Sequence, residues 1–100
     1  MTERGSELSH AWKAYNDALN QVRAAERLED AHARECAWHM DTIVRHDGDA
    51  VELEAIMHGV RRANAAWLVA VAATREVQKT YDNARADWMR SRDAHGTVIA

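Results

Sequence analysis

His46-Asp47-Gly48-Asp49 is the one strong break in a chain of 100 residues that contains no proline. Two aspartates flank a glycine able to take positive φ, which is the composition of a tight turn. On the N-terminal side nothing stops a helix as far back as Ser6, a residue suited to N-capping, with Glu7 placed to complement the helix dipole. Helix 1 is therefore expected over about 7–45. On the C-terminal side Asp49-Ala50-Val51-Glu52 has the spacing of a capping box, which starts helix 2 at Ala50. Helix 2 is expected to run to about Ala94, with His95-Gly96 as its stop. Gly59 falls inside it at a cost of about 1 kcal/mol relative to alanine, and marks a close helix contact or a slight bend. Residues 1–100 thus read as a single all-α domain, a long antiparallel helical hairpin with its turn at 46–49.

Helix 2 carries the clearest periodicity. Leu53, Ile56, Val60, Ala63, Trp67, Ala70, Thr74, Val77, Tyr81, Ala84 and Trp88 alternate spacings of three and four, the seam of a coiled coil. Bulky and small residues alternate along it, so a second helix can approach closely. Helix 1 keeps the rhythm at Leu8, Trp12, Tyr15, Leu19 and Val22 and regains it at Ala33, Cys36, Met40 and Ile43, with Glu26 and Glu29 in the seam between. Folding about the turn is expected to bring Trp12 near Asn83, Leu19 near Glu76 and Glu26 near Val69. The stretch from Ala63 to Ala73 is apolar on nearly every side of helix 2, more than one hairpin partner can bury. Two such hairpins pairing into a four-helix bundle would cover it.

Charge and composition narrow the function. Thirteen Lys and Arg against sixteen Asp and Glu give a net charge of -3, which offers no excess positive field for a nucleic-acid backbone. The longest apolar run, Ala65 to Ala73, is less than half of the roughly 20 residues that cross a bilayer, and the charged start lacks the apolar core of a secretory signal. A cytoplasmic protein with no membrane or nucleic-acid partner is expected. The single Cys36 has no intramolecular disulfide partner. No Gly-rich phosphate loop and no nucleophilic triad can be placed, so an enzyme is not expected.

Three constellations are candidates for function. Trp67, Leu68, Val71 and Tyr81 on helix 2 form the expected dimer contact. Leu28 and Trp38, which point away from the helix 1 seam with Ala24 and Ala31, form a second seam or a partner contact. His32, Cys36 and His39 share one helix face at i, i+4 and i+7, and the turn brings His58 near position 37. Imidazoles and a thiolate in that arrangement form an acceptable zinc set, although plain packing serves the same residues. Eleven arginines against two lysines also suit bidentate carboxylate contacts at an interface.

Two family resemblances attach to short features. Glu29-Asp30-Ala31-His32 and Glu7-Leu8-Ser9-His10 each resemble the Glu-x-x-His half-motif of ferritin-like proteins, which implies a carboxylate and an imidazole at a di-iron centre. Length and two-helix architecture resemble the WXG100 group of small secreted helical hairpins, which implies export and heterodimerisation. Where that family has Trp-x-Gly at the turn, this chain reads His46-Asp47-Gly48. Its export motif Tyr-x-x-x-Asp/Glu has no counterpart either, since Arg85 follows Tyr81. The residues favour a non-enzymatic homodimeric helical bundle that binds and modulates another protein, with a His/Cys metal site or a WXG100-like heterodimer as alternatives.

Overall fold

The computed structural model describes the backbone of residues 3–99 and the side chains of residues 6–94. Two helices account for it: α1 over Glu3–Arg45 and α2 over Ala50–Ile99, with no strand among the described residues. Alanine-rich, proline-free sequence gives both helices high intrinsic propensity along their length.

The turn lies where the sequence puts it, but its chemistry differs. Asp49 caps α2: its Oδ1 accepts the Glu52 N–H at 2.8 Å, and its carbonyl accepts the Leu53 N–H at 3.1 Å. His46 closes the end of α1 by donating its N–H to the Ile43 carbonyl at 3.1 Å. Gly48, expected to exploit positive φ, does not, since no described residue has a positive φ. Two side-chain ends occupy the space where a Cβ would stand. A methyl group at Gly48 would collide with the Glu52 carboxylate and stand 2.6 Å from His46 Cε1.

Both outer helix ends extend past their expected limits. Ser6 is not an N-cap but an interior residue of α1, with its carbonyl 2.8 Å from His10 Nδ1. Gly5 before it costs about 1 kcal/mol and does not stop a helix. α2 likewise continues through His95-Gly96 to Ile99. A glycine ends a helix when it turns left-handed, and Gly96 does not.

The chain divides into two compact units, residues 1–24 with 75–100, and residues 25–74. In the first, α1 and α2 pair through aromatic rings. Trp12 and Trp88 have centroids 4.9 Å apart, Tyr15 and Tyr81 5.6 Å, and Trp12 meets Tyr15 edge-on at 5.9 Å. Trp12 therefore faces Trp88 rather than Asn83, a shift of a little over one turn from the expected register. Below the rings Ala18 and Val22 are buried.

In the second unit the pairing is tighter and the side chains smaller. Val60, Ala63 and Ala70 are buried, and Thr74 Oγ1 donates to the carbonyls of Ala70 in its own helix, at 3.0 Å, and Ala25 of α1, at 3.4 Å. The His39 ring packs against Gly59, where an added methyl group would stand 3.2 Å from Cε1. Gly59 is thus the site of close helix contact. Ala25 meets Thr74, so Glu26 does not meet Val69; here too the register is shifted by about one turn.

The α2 seam follows the expected residues from Ile56 to Trp88, all of which are buried or half-buried, while Leu53 lies more exposed at the turn. The α1 seam is half as expected. Leu8, Tyr15, Val22, Glu29, Cys36 and Ile43 form one column, but the other consists of Ala11, Ala18, Ala25, His32 and His39. Trp12, Glu26 and Met40 are exposed, one position away on the flank of the seam. Alanine occupies the upper part of the second column, at Ala11, Ala18 and Ala25, and imidazoles its lower part, at His32 and His39, where Gly59 leaves room for a ring.

Candidate interaction surface

Deep burial is confined to small side chains. Valine is the largest buried residue type among the described residues, with Val22 and Val60 6% and 7% exposed, at about 1.5–3 kcal/mol for each. The larger apolar side chains are divided between the seams and the outside. Of the nine large hydrophobic residues exposed among the described residues, all but Trp12 belong to residues 25–74. They lie on both flanks of that unit as well as near its turn.

On one flank lie Leu28 and Trp38 of α1 and Val69 of α2, and Trp38 is 63% exposed. Its indole meets the His39 imidazole edge-on at 4.9 Å. Between the two helices on this flank a groove is lined by Glu35, His39, Gly59, Arg62, Ala63 and Ala66. On the other flank lie Met40 and Val44 of α1 and, further from the turn, Leu68 of α2, which is 60% exposed. Val71 on this side is half-buried.

The residues singled out from sequence divide accordingly. Leu28, Trp38 and Leu68 are outward, as expected of contact residues. Trp67 and Tyr81 sit half-buried in the seam, and in its own unit Tyr81 stacks on Tyr15 with their hydroxyls 3.5 Å apart. That hydrogen bond is the chief cause of the raised Tyr81 pKa, since the shared proton favours the neutral phenol. Met40, Val44, Val51 and Val69 were not singled out, although Met40 is half exposed and the three valines are more exposed than Leu28. Once Met40 is removed from the seam, a second apolar stripe at Ala33, Ala37, Met40 and Val44 becomes visible at helical spacing.

His32, Cys36 and His39 are half-buried along the α1 seam, whereas His58 is exposed. With the register shifted, the α2 residue against His39 is Gly59 and not His58. The group nearest both imidazoles is Glu35, with its oxygens 3.9 Å from His32 Nδ1 and 3.8 Å from His39 Nε2. Among the described residues no group of three or more His, Cys, Asp or Glu side chains is arranged to hold a metal ion. Glu29 of the Glu-x-x-His fragment is half-buried in the seam beside His32.

Charged groups on the outer faces pair mostly along their own helix: Arg34 with Asp30 at 3.2 Å, Arg45 with Asp41 at 3.0 Å, Arg61 with Glu54 at 3.5 Å and Lys79 with Glu76 at 3.1 Å. All are well exposed, so each contributes at most about 1 kcal/mol and is readily exchanged for another partner. No helix of the described residues is long and apolar enough to cross a membrane.

Comparison with known proteins found no matching family model, no similar curated protein and no similar solved structure.

Proposed function

We propose that this chain is a non-enzymatic interaction module that associates with itself as a helical bundle and binds and modulates another protein. The concentration of exposed large apolar side chains on residues 25–74 carries this reading. Exposed apolar side chains on a helix pair gain free energy when a second polypeptide removes them from water, and outward aromatic residues are the usual anchors of such contacts. Trp38 is the anchor for the other protein: it is large and exposed, with one edge against His39.

A photo-crosslinking residue placed at Trp38 tests the reading in living cells, with the same residue at the exposed Lys79 as control. A discrete adduct with a different polypeptide is expected at Trp38 and not at Lys79. Equal, diffuse labelling at both positions would remove the reading.

A further inference from the structure

We infer that a second copy of this chain covers the flank formed by Ala33 and Met40 of α1 with Met57, Leu68 and Val71 of α2, in an antiparallel arrangement about a two-fold axis near Asn64. The inference rests on the self-association part of the proposed function and specifies its surface and symmetry.

The flank is apolar and open: Met40 is 50% and Leu68 60% exposed, with Ala33, Met57 and Val71 half-buried beside the seam.

The pattern on α2 fits a second copy of the same chain. Met57, Arg61, Asn64, Leu68 and Val71 alternate spacings of four and three, a second stripe beside the seam. About Asn64 the apolar Met57 is related to the apolar Val71, and Arg61 to Leu68. Met57 lies seven residues before Asn64 and Val71 seven after, Arg61 three before and Leu68 four after. A two-fold interface requires such reciprocity, because each contact occurs twice with the roles exchanged. Met57 then meets Val71 of the second copy.

Charge supports the same arrangement. Between Ala55 and Thr74, α2 carries Arg61 and Arg62 and no Asp or Glu, while α1 between Ala25 and Arg45 carries five acidic residues and three arginines. The two-fold places Arg61 beside Leu68 and Asp30 of the second copy. Arg61 and Asp30 now make only exposed pairs with Glu54 and Arg34, which are exchangeable at little cost.

Light scattering and sedimentation equilibrium on the full chain at about 50 μM provide the test. The expected mass is twice 11.3 kDa. Leu68→Glu is expected to give the single-chain mass with helical circular dichroism retained. Arg61→Glu and Asp30→Arg are each expected to weaken dimerisation about tenfold, and their combination to restore it, which separates a lost contact from a failure to fold. A wild-type single-chain mass would overturn the inference while leaving the Trp38 crosslink to judge the interaction reading independently. A dimer unaffected by Leu68→Glu but broken by Trp38→Glu would place the interface on the opposite flank and overturn it. A charge swap without recovery would overturn the two-fold register.

Discussion

The His39 imidazole rests on Gly59, so closely that a methyl group there would come within 3.2 Å of Cε1 and 3.3 Å of Nδ1. Replacing Gly59 by alanine gains about 1 kcal/mol of helix propensity and asks the ring to yield a few tenths of an ångström. The ring is the end of a side chain and borders an open groove, so it can yield. Gly59→Ala is expected to raise stability by up to about 1 kcal/mol, and Gly59→Leu to lower it by about 1–3 kcal/mol through overpacking. Denaturant midpoints measure both, and a loss in the alanine variant would show that the imidazole is fixed.

At the turn a methyl group on Gly48 would likewise meet only side-chain ends, the exposed Glu52 carboxylate and the His46 ring, and Gly48 has no positive φ to lose. Gly48→Ala is therefore expected to change stability by no more than about 0.5 kcal/mol. Asp49→Ala removes the cap on the Glu52 N–H and is expected to cost about 0.5–2 kcal/mol. Thermal unfolding of these variants checks the set.

The two frames available to α1 make opposite forecasts. In the observed frame Ala18 is buried and Glu26 exposed. Ala18→Glu should therefore prevent stable folding by placing an unpaired carboxylate in the seam, while Glu26→Ala should change stability by no more than about 0.5 kcal/mol. Circular dichroism melts decide, and a large gain from Glu26→Ala would restore the seam through Trp12, Leu19 and Glu26.

Tyr81 titrates above its ordinary value, principally because of its hydrogen bond with Tyr15. A phenol whose folded pKa exceeds its unfolded one contributes stability that is complete below the unfolded value, near 10, and is lost as pH rises through the folded value. Tyr15→Phe is expected to bring the Tyr81 transition down toward the ordinary range in an ultraviolet titration and to flatten the alkaline loss of stability. An unchanged Tyr81 transition would show that the Tyr15 hydroxyl has no part in it.

The turn and the whole α2 seam were legible because they rest on strong local signals: an isolated glycine between aspartates, and eleven positions in unbroken spacing. The α1 seam was legible in one column only. Leu8, Tyr15 and Val22 belong to both possible frames, and the choice between Trp12 and Ala11, or Leu19 and Ala18, depends on how much room α2 leaves. Hydrophobicity favours the larger residue, whereas the close approach of the helices favours alanine at the centre and leaves Trp12 to reach Trp88 from the flank. That choice also concealed Met40 and Val44 as surface residues. The register erred by about a turn because turn composition alone does not fix where the helices first touch. Gly48 was assigned the wrong reason, since its φ is not positive and only side-chain ends stand where a Cβ would.

Trp12 and Trp88 are separated by most of the chain and their rings lie 4.9 Å apart. Indoles at that separation couple their excited states, which gives paired bands of opposite sign in the ultraviolet and alters emission. The protein thus carries an optical gauge of whether its two chain ends have come together. Folding kinetics at that end can be followed from its own light, without an attached dye.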